Sequence, residues 1–162
     1  MPAVSMPPVQ TGSKSKTLPT EHDFREMGEG VRLFEGVSWE DYVRVDQIRD
    51  RSGRKARLCF VNDQLEIRMT SKKHEIAKTL LANLIDRYLE VLDIDYQAWG
   101  EATFRKTGKA GGEPDVCYCL TEDQEYPDLA FEVVITSGGI KKLDFYERIE
   151  VREVWFWKND AL

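Results

Sequence analysis

The sequence predicts a mixed α/β domain, and three stretches carry that expectation. HEIAKTLLANLIDRYLEVL (74–92) repeats Ile76, Leu80, Leu84, Tyr88 and Val91 at helical spacing, giving an amphipathic helix of about five turns. PDVCYCL (114–120) and LAFEVVI (129–135) are rich in β-branched, aromatic and cysteine residues, and the polar turn TEDQEYPD separates them, so they read as neighbouring strands. IKKLDFYERI and then EVWFW add a helix and a last strand, an order that needs a crossover and a parallel pair.

In chain order, the first twenty residues hold four prolines and almost no periodic apolar residues, so 1–30 are expected to be a disordered or loosely ordered tail. The domain is expected over 31–162, shortened at its C-terminus because Asn159-Asp160 reads as a turn with no returning strand. GVSWEDYVRVDQIRD predicts a helix capped by Ser38, with Glu40 and Asp41 in its first turn. ARLCFV and QLEIRM flank Asn62-Asp63 as a hairpin, and their alternation predicts one buried face. Thr70 or Ser71 caps the long helix. IDYQAW and EATFRK, broken at Gly100, read as one bent strand or two short ones, and GKAGGE as a flexible glycine loop.

Composition narrows the function classes. The chain has 162 residues, 41% hydrophobic and 32% charged, enough for a core without disulfides. It shows no run of 18 apolar residues and no signal-peptide core, so neither membrane insertion nor secretion is expected and the compartment is cytoplasmic. Cys59, Cys117 and Cys119 sit in strand-like runs and read as reduced core residues. Cys117-x-Cys119 lacks the further ligands of a structural zinc site, since His22 and His74 lie in unrelated segments. A net charge of −6 argues against coating nucleic acid by bulk electrostatics. Basic runs at Arg49–Arg57, Arg68–Lys73 and Arg105–Lys109 read either as solvated loops or as a locally positive groove.

Asp115 and Glu132 are the chemical question. A carboxylate in an otherwise apolar strand is costly to bury without a partner, a metal or solvent, and adjacent strands would let the two converge. The order helix, three strands, helix, strand resembles the core of the PD-(D/E)XK nuclease superfamily, with Glu113-Pro114-Asp115 and, 17 positions on, Glu132 as its acidic pair. Residues 31–158 are more closely similar to the Uma-type restriction endonucleases, above all PDLAFEVVITSGGIKKLDFYERIEVREVWFW and, collinear with it, MTSKKHEIAKTLLANLI. The superfamily pattern puts lysine two residues after Glu132, where this chain has Val134; in the Uma-type pattern the lysine comes from the following helix, here Lys142 or Lys141.

The resemblance implies a restriction-endonuclease-like mixed β-sheet flanked by helices, preceded by a helix and a β-hairpin. It also implies an endonuclease that hydrolyses DNA with Mg2+ or Mn2+ held by Asp115, Glu132 and the Val133 carbonyl, with Glu75 as a further metal contact. Lysine would orient the attacking water or stabilise the transition-state charge. Lys142 shares a helix side with Phe145, Tyr146 and Ile149 and is the catalytic choice; Lys141 shares its side with Asp144 and Arg148 and reads as solvent-facing. His74 and Lys73, with Ser137 and Gly138 at a helix start, are the substrate-binding candidates, although a cap or a plain strand-to-helix turn would use the same residue types. DNA is the expected partner, and the exposed aromatics of EVWFW would suit a homodimer. Two further readings remain: a catalytically silent nuclease-fold binding module, and a hydrolase of another phosphoester.

Overall fold

The computed structural model describes residues 17–121, 124–135 and 140–158. Helices and strands follow in the order α1 (Glu21–Glu26), β1 (Gly30–Glu35), α2 (Trp39–Ser52), β2 (Ala56–Val61), β3 (Gln64–Met69) and α3 (Lys72–Val91). Then come β4 (Gln97–Ala98), β5 (Phe104–Lys106), β6 (Ala110–Gly112), β7 (Val116–Cys119), β8 (Leu129–Val134), α4 (Lys142–Arg148) and β9 (Glu153–Lys158). They build two sheets, one ordered β1-β3-β2-β6-β5 and the other β4-β7-β8-β9. Helices flank both, so the fold is the mixed α/β, restriction-endonuclease-like arrangement that the sequence predicts.

Local signals account for several elements. Ser38 caps α2 in a reciprocal box with Asp41, and Gly53, at φ 69°, closes it in the left-handed conformation. Asn62 and Asp63 take φ values of 51° and 56°, as a two-residue hairpin turn needs, and join β2 to β3 in antiparallel register. Ser71, rather than Thr70, caps α3 by accepting from the His74 amide at 3.2 Å. β7 and β8 pair antiparallel, and β8 and β9 pair parallel across α4.

Four expectations are corrected. Residues 17–30 are not a loose tail: Thr20 and Asp23 cap α1 reciprocally, and Phe24 and Met27 are buried in the cluster that also holds Tyr42 and Val45 of α2. One short helical turn suffices there because α2 already presents an apolar surface; residues 1–16 lie outside the described residues. GKAGGE is not simply a loop, because Ala110–Gly112 form β6 between β2 and β5. Glycine is needed at that point, since a Cβ on Gly111 would stand 2.4 Å from the Tyr42 ring. The hairpin is buried on both faces. Leu58, Phe60, Leu65 and Ile67 meet α2, while Cys59 and Val61 meet Phe145, Tyr146 and Ile149 from α4 and its end, together with Cys117 and Ala130 of the second sheet.

The fourth correction concerns α3. Its buried side is Ile85 and Leu89, which pack with Val116, Tyr118, Phe131 and Val133. The stripe Ile76, Leu80, Leu84, Tyr88 and Val91, which makes the helix amphipathic in the sequence and would be expected inside, faces outward. Helical periodicity identifies an apolar stripe but not its neighbour, and α3 carries apolar residues on two sides.

Candidate active site

Strand parity decides where the carboxylates point. In β8, Leu129, Phe131 and Val133 face α3, so Ala130 and Glu132 face α4 between the two sheets. In the hairpin the same alternation sends Arg57, Cys59, Val61, Glu66 and Arg68 to that side, with Arg57 opposite Arg68 and Cys59 opposite Glu66. Asp115, just ahead of β7, is 2% exposed and Glu132 1% exposed. The two sheets and α4 therefore enclose one polar cluster.

Each carboxylate is held by named donors. Asp115 Oδ2 accepts from the Val133 amide at 2.8 Å and lies 3.1 Å from His74 Nε2. Its Oδ1 lies 3.4 Å from Arg57 Nε, an ion-pair contact without hydrogen-bond geometry, and among the described residues that buried oxygen has no hydrogen-bond donor. Arg57 also donates to the Pro114 carbonyl at 2.9 Å and to Glu101 at 2.8 Å, fastening the Glu113-Pro114-Asp115 turn to β2. Glu132 Oε2 accepts from Lys142 Nζ at 2.5 Å, and Oε1 accepts from the Tyr146 hydroxyl. Lys142 is thus the lysine that reaches the acid pair, whereas Lys141 is exposed.

Burial and charge pull the titrations in different directions. Burial pushes the Glu132 carboxyl up against the opposing charge of Lys142, and the charge of Asp115 adds to the rise. Burial also pushes Asp115 up, but the His74 hydrogen bond and the charges of Lys142, His74 and Arg57 outweigh it and hold this carboxyl well below the usual range. For Lys142, burial favours the neutral amine, yet Glu132 and Asp115 overcome it and keep the ammonium protonated above its ordinary value. The Tyr146 phenol is raised well above normal by burial and by Glu132, so it stays a donor.

Glu66 and Arg68 are site neighbours that the sequence reading missed. Arg68 binds Glu66 Oε1 through Nε at 3.1 Å and Nη2 at 2.9 Å, and Glu66 Oε2 accepts from the Ile140 amide at 3.0 Å, just ahead of α4. Arg68 feels the charges of Glu132 and Asp115 as well. Period-2 alternation from Cys59 and Leu65 was the available signal, but a second covering layer had to be known before either residue could be placed inside.

The remaining candidates sit further out. Glu75 has a side chain 42% exposed and binds Lys78 at 2.6 Å and His74 Nδ1 at 3.3 Å, so it touches the acid pair only through His74. Lys73 is exposed on the first turn of α3, and Ser137 and Gly138 lie outside the described residues. The basic runs are neutralised in part: Arg49 binds Asp46 and Glu113, Arg105 binds Asp46, and Lys106 binds Glu150. A cleft of about 380 Å³ beside Arg57 is lined by four cations and four carboxylates, including Lys55 and Glu101, so the formal charges of its lining balance.

A hydrated cation would suit the donor set. Among the described residues Asp115 Oδ1 is a buried carboxylate oxygen without a hydrogen-bond donor, and Glu132 projects into the same enclosure. Among the described residues no three His, Cys, Asp or Glu side chains could cage a metal ion by themselves. Two carboxylates with main chain and water are, however, what Mg2+ accepts, because it dehydrates reluctantly.

The model of the Uma2 family, described as "Putative restriction endonuclease", matches residues 39–162. The chain belongs to the Uma2 family. Membership supports a nuclease role and a nucleic-acid substrate for this Uma2 chain. No curated protein and no solved structure matches it significantly. Among the described residues no helix is long and apolar enough to cross a membrane.

Proposed function

We propose that this Uma2 protein is a divalent-metal-dependent endonuclease that hydrolyses DNA phosphodiester bonds, with Asp115, Glu132 and Lys142 as its catalytic residues. The observation that carries the reading is the enclosed pair of carboxylates, one oxygen without a donor among the described residues, met by a buried lysine from the next helix. Asp115 and Glu132 would hold Mg2+ or Mn2+ with the Val133 carbonyl, and the bound cation supplies charge neutralisation at the phosphate and a more acidic water. Lys142 acts as a cation, because its ammonium is stabilised rather than poised to lose a proton; it orients the nucleophile and offsets charge that develops on the phosphate. Tyr146 fixes the rotamer of Glu132, and the Val133 amide with His74 fixes Asp115. The free, buried Cys59, Cys117 and Cys119 fit a reducing, cytoplasmic setting.

A second reading, a silent nuclease-fold module that binds nucleic acid, is favoured by the extent to which Lys142, Tyr146, His74 and Arg57 already serve the carboxylates. Calorimetric titration with Mn2+ alongside a DNA cleavage assay separates the two. The endonuclease reading expects metal binding that Asp115→Asn removes, cleavage that a chelator abolishes, and Lys142→Ala losing cleavage while keeping metal affinity. Metal binding with no cleavage of duplex DNA, single-stranded DNA or RNA selects the binding module. A wild-type protein that cuts DNA in chelator overturns the site assignment.

A further inference from the structure

We infer that the outward face of α3 is a self-association surface on which a second copy of this chain docks antiparallel, across a two-fold axis near Leu84. Ile76, Leu80, Leu84, Tyr88 and Val91 are 51%, 64%, 60%, 52% and 82% exposed, although the opposite side of the same helix is packed on the second sheet. A helix that is apolar on two sides belongs between two layers, and only the inner layer is present within one chain's described residues. Trp155 of the edge strand β9 lies 6.4 Å from the Tyr88 ring and carries the patch toward the sheet edge.

The area and the charges favour a copy of itself over other occupants. The exposed parts of these side chains amount to on the order of 600 Å² per copy, near the ~800 Å² that each partner brings to a stable interface and at the upper end of what a monomer usually leaves as one patch. The face is also self-complementary. Lys72 and Lys73 are exposed at its N-terminal end, and Asp93 and Asp95 at its C-terminal end, where Glu90 is already paired with Arg87 at 2.8 Å. An antiparallel crossing brings the lysines of one copy to the acids of the other and opposes the helix dipoles, as an isologous contact requires. A nucleic acid would not seek an apolar stripe with an acidic end.

The pairing also sets the spacing of the two candidate sites. His74, which touches Asp115, lies ten residues from Leu84, so the sites would stand roughly 30 Å apart along the paired helices at 1.5 Å per residue. The inference rests on the helix face and not on the proposed chemistry, so oligomeric state can be read whether or not the protein cuts DNA.

Light scattering and sedimentation of the full chain at micromolar concentration test it. The wild type is expected to be a dimer, and Leu80→Glu with Leu84→Glu to raise the dimer Kd roughly 100-fold or more with the circular dichroism spectrum unchanged, since both positions are solvent-exposed in the monomer. Leu84→Cys, at the axis, should cross-link to the partner's copy under mild oxidation, whereas Thr79→Cys, on another exposed side, should not. Lys73→Glu and Asp95→Lys should each weaken the dimer and together restore it. A monomeric wild type, a dimer untouched by the Leu80/Leu84 change, or equal cross-linking at positions 79 and 84 overturns the inference.

Discussion

Replacing Lys142 with Met tests how the buried pair is balanced. At a separation of 2.5 Å the attraction between Lys142 and Glu132 is worth about 7 kcal/mol with an effective dielectric constant near 20. Their side chains are only 9% and 1% exposed, so a desolvation penalty of several kcal/mol per ion offsets most of that gain. The pair as a whole should therefore add little, while removing one member strands the other. Lys142→Met should cost ~3–5 kcal/mol, and Glu132→Gln with Lys142→Met together should lie within about 1–2 kcal/mol of wild type. For a chain of this length the single change corresponds to a Tm loss of roughly 6–20 °C.

The pH dependence gives a second readout of the same balance. Burial raises Glu132 in the folded state, so above the ordinary value of 4.5 the folded chain keeps a proton that the unfolded chain has lost, and stability falls as pH rises. Without the opposing lysine this fall should extend to higher pH, so Lys142→Met should regain stability on acidification. Urea unfolding of the four proteins of the cycle at neutral and mildly acidic pH reads both effects. A Lys142→Met cost under about 1 kcal/mol, or additive single changes, would refute the reasoning.

Other consequences follow from the packing and from Asp115. Gly111→Ala places a Cβ 2.4 Å from the Tyr42 ring, which cannot move aside because it stacks on Phe60 at 5.3 Å and meets Trp39 at 5.2 Å. It should cost ~1–3 kcal/mol by overpacking, and Gly112→Ala, 3.1 Å from Phe145, should cost less; thermal denaturation ranks them. Asp115 is held below its ordinary value of 3.8, so its contribution is present above that pH and is lost as pH falls through the folded value. Asp115→Asn should remove this dependence, and acid-unfolding curves that stay parallel between wild type and variant would refute it.

Much of the local structure was legible in the sequence because its causes are local. Ser38 with Asp41 marks the start of α2, and Ser71 marks that of α3, through side chains that satisfy amides three residues on. Asn62-Asp63 announces the hairpin because both residues tolerate positive φ. The choice of Lys142 over Lys141 needed only helical spacing, since Phe145, Tyr146 and Ile149 define the buried side.

Tertiary structure decided what spacing cannot see, namely which surface lies opposite. Arg57, Glu66 and Arg68 alternate with apolar neighbours as solvent-facing residues would, yet the second sheet and α4 cover them and turn them into partners of the acid cluster. His74 reads locally as a first-turn histidine and becomes a contact of Asp115 only because the start of α3 lies over the turn before β7. Ala110–Gly112 pair as a strand beside β2, and Tyr42 leaves room there for nothing larger than glycine at 111. On α3, periodicity marks apolar residues equally on both sides, and the free energy of burial goes to whichever side the sheet reaches. Caps and turns depend on atoms a few residues apart, whereas burial depends on neighbours that the chain brings in from forty to eighty positions away.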